Sequence, residues 1–181
     1  MKKAVITTNP LTRFLVLAAL GYVFLYLLYQ FVIKPYTLLD QQLIAHIIKV
    51  SNQILTGMGY KTFMFLQDHD MQVFGIDGSN GVWVGANCNA ATLFGLFAVF
   101  VMAYPGPLKH KLWYIPIGVL VIHAVNIIRV VCLAIIAFYN PYALDFNHNY
   151  TFTIIVYAFI FLLWMVWVNK FTSSKTNRHE G

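Results

Sequence analysis

The run LWYIPIGVLVIHAVNIIRVVCLAIIAF, residues 112–138, decides the class of this protein. It exceeds the roughly 17 to 25 apolar residues that carry a helix across a bilayer, and its one formal charge is Arg129. An arginine at the centre of such a helix costs roughly 2.5 to 3.5 kcal/mol, so it is kept for a reason. Three further runs come near the same length: Leu11–Ile33, Ala90–Tyr104 with a polar lead-in from Cys88, and Tyr150–Val168. The expected fold is an all-α integral membrane protein, a four-transmembrane-helix bundle in a single membrane domain over residues 1–181, with spans at 11–33, 88–104, 112–138 and 150–168.

Composition points the same way. Of 181 residues 60% are hydrophobic and only 10% charged, far from the balance of a soluble domain. A formal charge of +6 would suggest nucleic acid in a soluble protein. With so few charges the cations are better explained as topology signals, so nucleic acid is set aside and the lipid bilayer is the expected partner. Lys2, Lys3, Arg13, Lys109, Lys111, Lys170, Lys175 and Arg178 fall on one side of the expected spans, and Lys34, Lys49 and Lys61 on the other. The positive-inside rule then puts both termini in the cytoplasm. The first run ends at Lys34-Pro35 with no small-x-small cleavage site and outruns a signal-peptide core of about 7 to 15 residues, so it reads as a retained span. Asp40, Asp68, Asp70, Asp77 and Asp145 all fall on the outer side, and the polar tail 172–181 is expected to be disordered.

The outer side carries one sizeable insertion, residues 35–87. Its first half repeats apolar residues at Leu39, Leu43, Ile47, Val50 and Ile54, with Asp40, His46 and Lys49 elsewhere around the helix, which describes an amphipathic helix. Its second half has short aromatic and β-branched stretches at 61–67, 71–76 and 82–84, the last two separated by Asp77-Gly78-Ser79-Asn80-Gly81, which predicts a β-hairpin.

Three polar residues are out of place and fall at similar depth. Cys88 stands where Gly85-Ala86-Asn87-Cys88-Asn89-Ala90 turns into the second span, a helix mouth whose free N–H groups favour thiolate. Arg129 lies 17 residues beyond Leu112, about 25 Å along a helix, and so near the outer end of the third span, where the C-terminal dipole favours a cation. His148 directly precedes the fourth span, where a helix N-terminus keeps imidazole neutral. Such a trio suits nucleophilic catalysis on an acyl group: Cys88 as nucleophile, His148 as general base and then acid, Arg129 stabilising the thiolate or oxyanion. Asn126 and His123 continue a polar stripe below Arg129, and Asn87 and Asn89 flank the thiol as supporting residues.

The elements Asn87-Cys88-Asn89-Ala90, then Asn126-Ile127-Ile128-Arg129-Val130, then a histidine opening the next span resemble the exosortase and archaeosortase family of membrane transpeptidases, in a short bacterial form. The resemblance covers about residues 82–170. It implies a membrane-embedded cysteine protease or transpeptidase of the bacterial inner membrane, with its active site on the extracytoplasmic side. It also implies substrates that are exported proteins with a C-terminal sorting signal: a short motif, a transmembrane helix and a basic tail. Cys88 matches the nucleophile, Arg129 the arginine and His148 the third member. Ala86 stands where many relatives carry an acidic residue. The acceptor that would resolve the thioester, an amine or water, stays open.

Other chemistry has less support. Cys88 and Cys132 form neither a CxxC pair nor a four-ligand set, so no cofactor or metal is expected, and a membrane thiol-disulfide oxidoreductase is an alternative reading only. A non-catalytic membrane subunit is the other alternative. Asp68-His69-Asp70 with Asp77 reads as a solvated rim, His46 and His110 as interfacial, and Trp113, Trp164 and Trp167 as belt residues.

Overall fold

The computed structural model describes residues 9–68 and 71–172, and within them the chain is mostly helical. α1 (Pro10–Leu28) opens with proline, whose missing N–H costs nothing there. It continues through a π-turn at Tyr29–Ile33 to Tyr36, past the expected end, until Thr37 turns extended. α2 (Leu39–Gly57) is the amphipathic helix, but it packs on a different stripe from the one that periodicity selects. Asp40, Ile44, Ile47, Ile48, Ser51 and Leu55 are buried, whereas Leu39 and Ile54 are each 39% exposed. Two apolar stripes overlap on this helix, and the protein core takes the one beginning at Asp40. Asp40 is therefore not an outer-surface charge.

The expected two-stranded hairpin is a three-stranded antiparallel meander, β1 (Thr62–Asp68), β2 (Met71–Ile76) and β3 (Val82–Gly85), in that spatial order. β1 pairs Thr62 with Ile76 and Leu66 with Gln72, and β2 pairs Met71 with Gly85 and Phe74 with Val82. A Cβ on Gly75 would lie 2.6 Å from the Gly81 Cα, so the turn after β2 can fold back only over glycine. Of the expected solvated rim, His69, Asp70 and the Asp68 side chain lie outside the described residues. Lys2, Lys3, Lys175, Arg178 and the tail beyond Thr172 lie outside them too.

A 3-10 turn at Ala86–Cys88 leads to α3 (Ala91–Ala103), shorter than the expected span of residues 88–104. α4 (Leu108–Tyr139) is longer than expected, as is the last helical run, which begins at Pro141 and passes through a π-turn at Asn147–Thr151 into α5 (Phe152–Trp167). Three helical runs, Leu11–Tyr36, Leu108–Tyr139 and Pro141–Phe171, are long and apolar enough to cross a membrane; α3 is apolar but shorter.

Two hydrophobic clusters meet along α4. Phe97 and Val101 of α3, Tyr114 and Ile122 of α4, and Val156, Ile160 and Trp167 of the last helix form a bundle core. Trp167 is fully buried against Gly106 and Tyr114 rather than in an interfacial belt, and Trp164 stacks on Phe100 at 4.1 Å. Further along, Val130, Val131, Leu133, Ala134 and Ala137 join α2 and the sheet in a second core. Thirty-two residues at about 1.5 Å make α4 about 48 Å long, against about 30 Å of hydrocarbon in a bilayer. Its last third thus serves the α2–sheet cap instead of the bundle.

The helix ends segregate. Arg13, Tyr104, Gly106 and Lys111 line one cavity at the end of the bundle away from the cap, where His110 also meets Phe171. Lys111 donates to the carbonyls of Met102 and Tyr104 at 2.7 and 2.8 Å, satisfying the C-terminal end of α3.

Candidate active site

The seam between the two cores brings together Cys88, Arg129 and His148. Cys88 lies in the 3-10 turn ahead of α3, its residue only 7% exposed, and not in the first turn of the helix. Two residues on, Ala90 adopts a left-handed conformation (φ 63°, ψ 9°), which reverses the chain so that α3 can start at Ala91. The helix dipole is accordingly not what acts on the thiol. Its environment comes from other elements.

Cys88 Sγ is 3.3 Å from His148 Nε2. The imidazole reaches it from the π-turn, one extra residue in the helical ladder that re-aims the side chain. This turn lies within a helical run starting at Pro141, so His148 is not the cap that the sequence suggests, and the dipole of a first turn does not govern it. Its Nδ1 faces Asn149 Oδ1 at 3.3 Å; with Nδ1–H donating there, Nε2 is left to accept from the thiol. Arg129 Nη2 donates to the His148 carbonyl at 3.3 Å, and Thr153 Oγ1 donates to the same oxygen at 3.4 Å. Arg129 is ten residues short of the end of α4, so the helix C-terminus does not stabilise it; the carbonyl exposed by the π-turn does.

Burial pushes the Cys88 thiol up, but the His148 hydrogen bond, the Arg129 charge, the charge on His148 and the Gly85 backbone together outweigh it. The net direction is down, toward thiolate. A thiol alone in this apolar seam would go the other way.

The supporting residues divide. Asn126, 1% exposed, donates from Nδ2 to the Cys88 carbonyl at 2.6 Å and so holds the turn directly. Among the described residues its Oδ1 and the Arg129 Nε are buried without a partner. Asn89 is buried and caps the Ala91 N–H at 2.9 Å. The Asn87 side chain lies outside the described residues. His123 does not reach the thiol group: its Nε2 pairs at 2.9 Å with Nδ1 of His46, a residue that the sequence reads as merely interfacial. Cys132, like Cys88, is a free thiol.

Sequence reasoning misses Asp40, Tyr29 and Asn149. Tyr29 donates to Asp40 Oδ1 at 2.6 Å, and the Asn89 amide donates to that same oxygen. Asn149 adjoins His148 and could have been found from the Asn147-His148-Asn149 run; Asp40 and Tyr29 carry no local signal. Among the described residues no group of three or more histidine, cysteine or acidic side chains is placed to hold a metal. No protein-family model matches the chain, and neither a curated protein nor a solved structure matches it.

Proposed function

We propose that this protein is a membrane-embedded cysteine peptidase or transpeptidase of the exosortase and archaeosortase kind, cleaving C-terminal sorting signals of exported proteins. One observation carries the reading: a thiol and an imidazole from separate elements meet at 3.3 Å, with an arginine tied to the backbone of that same histidine. A cysteine, a base and an orienting group for the base are the parts that acyl transfer requires.

His148 Nε2 takes the Cys88 proton, and the thiolate attacks the scissile carbonyl carbon. Negative charge moves to the carbonyl oxygen, where Arg129 stabilises it. As the C–N bond breaks, the imidazolium returns the proton to the leaving amine, and a thioester remains on Cys88. Water or an acceptor amine, deprotonated by His148, attacks the thioester and frees the thiol.

In this reading all four apolar helices, α3 included, form a spanning bundle in a bacterial plasma membrane. Both termini are cytoplasmic, and the cap of α2 and the sheet is extracytoplasmic. The clustering of Arg13 and Lys111 at the far end of the bundle supports that orientation. An apolar cavity of about 200 Å³ between Ile128 and Arg129 on one side and Phe152, Ile155 and Phe159 on the other leaves room beside Arg129 for one apolar side chain of a substrate segment.

The test is processing of a co-expressed exported protein that ends in a short motif, an apolar helix and a basic tail. The anchored precursor should persist with Cys88→Ala and with His148→Ala. Continued cleavage by Cys88→Ala sinks the reading.

A further inference from the structure

Asp40 is the one acidic side chain among the described residues that is buried, at 5% exposed. A carboxyl group taken out of water must find donors, and this one finds two on a single oxygen: the Tyr29 hydroxyl at 2.6 Å and the Asn89 carboxamide. The three residues come from three separate elements: the π-turn of the first helix, the first turn of α2 and the turn that bears Cys88. The first turn of a helix suits an anion, so α2 can deliver a carboxylate here at reduced cost.

Asn89 is the residue after the thiol, and both ends of its carboxamide are engaged. Nδ2 goes to Asp40, and Oδ1 takes the Ala91 N–H at 2.9 Å, replacing the capping side chain that Ala90 lacks. The left-handed Ala90 between them is held by that clamp, because alanine does not favour this conformation by itself. Asn126 fixes the Cys88 carbonyl from the opposite side. The direction of the Cys88 side chain is thus set by two anchors, one of which ends on Asp40.

We propose that Asp40 is a positioning residue for the Cys88 nucleophile, acting through Asn89 to hold the thiol turn at hydrogen-bond distance from His148. This rests on the peptidase reading only for its catalytic consequence; the effect on the thiol itself does not depend on it. If the clamp is lost, Sγ leaves His148, and burial is then the dominant influence on the thiol.

The experiment uses the full chain in detergent with Cys132→Ala as parent, and reads the rate of Cys88 alkylation by iodoacetamide against pH, together with precursor processing in cells. Asp40→Leu removes the acceptor of the Asn89 amide without adding a charge beside the thiol, and should slow alkylation at pH 7 by about tenfold, moving the profile to higher pH by about one unit. Asp40→Asn combined with Asn89→Asp restores an amide–carboxylate pair with the roles exchanged, and keeps an acceptor for the Ala91 N–H. That exchange should bring both rate and profile back to within about threefold of the parent. Tyr29→Phe, which removes one donor and leaves the ring, should shift the profile in the same direction by less. Asp40→Leu matching the parent, or an exchange variant no better than Asp40→Leu, overturns the proposal. Alkylation that responds as described in a protein that processes no precursor overturns the peptidase reading instead and leaves the positioning role standing.

Discussion

Cys88 is under opposed influences, and the balance between them can be measured. Burial favours the neutral thiol; His148, Arg129 and the Gly85 backbone favour thiolate and win. Since alkylation requires thiolate, labelling of Cys88 should remain fast at pH values below the range of an ordinary thiol. His148→Ala removes the largest of the lowering influences and leaves burial, so its alkylation profile should move to higher pH, as mass spectrometry of the labelled chain will read. Arg129→Lys keeps a cation but loses the planar fork that reaches the His148 carbonyl. Precursor processing in that variant should fall by about a hundredfold or more, the loss typical of removing one group that stabilises an oxyanion, while the protein still accumulates in membranes. At this scale the sequence is legible where a residue contradicts its surroundings. Cys88, Arg129 and His148 are conspicuous because they interrupt or adjoin apolar runs. Asp40 is not, because a carboxylate at the start of an amphipathic helix looks solvated until the helix is rotated to show which stripe is packed.

Elements were legible by length and composition rather than by boundary. The apolar run of α4 is plain in the sequence, but its two functions are not: periodicity does not distinguish residues packed in the bundle core, as at Ile122, from those packed in the core shared with α2 and the sheet, as at Leu133. The stretch 61–67 is legible as strand-like, but its pairing with β2 is not, because the hairpin signal in the sequence lies only in the glycine-rich turn after β2. Within the bundle, the contact of α3 with α4 depends on one glycine. A Cβ at Gly118 would sit 2.2 Å from two ring atoms of Phe97, a fully buried side chain with nowhere to move. Gly118→Ala should therefore destabilise the protein by about 1–3 kcal/mol, seen as a lowered unfolding midpoint in micelles. Phe97→Leu should recover part of that loss in the double variant, although each change alone is destabilising. Additive losses would mean that the two helices do not meet as closely as the backbone indicates.

At the scale of the whole molecule, the two ends have different chemistry, and this bears on how the chain sits in a bilayer. Among the described residues Arg13, Lys109, Lys111 and Lys170 fall at one end with no acidic side chain, while Asp77 and Asp145 belong to the other, with the sheet and the start of the last helical run, beside Lys34, Lys49 and Lys61. Arg129 lies at the boundary where α4 passes from the bundle core to the cap core, with Ile122 on one side and Val130 on the other. A bilayer about 30 Å thick centred on the bundle would leave the last ten residues of α4, some 15 Å, standing clear of the hydrocarbon to carry the cap. The thiol, imidazole and guanidinium would then lie near the depth where water gives way to lipid, shallow enough for a proton to be exchanged. This arrangement makes a specific demand on accessibility. Asn80, exposed in the turn between β2 and β3, and Lys109, exposed at the start of α4, should lie on opposite sides of the membrane. In a background lacking both native cysteines, used for topology alone, Asn80→Cys should react with a membrane-impermeant maleimide in intact spheroplasts. Lys109→Cys should react only after the membrane is opened. Labelling of both positions from one side would place the cap and the basic end in the same compartment, and Arg129 could then no longer sit at the outer boundary of the bilayer.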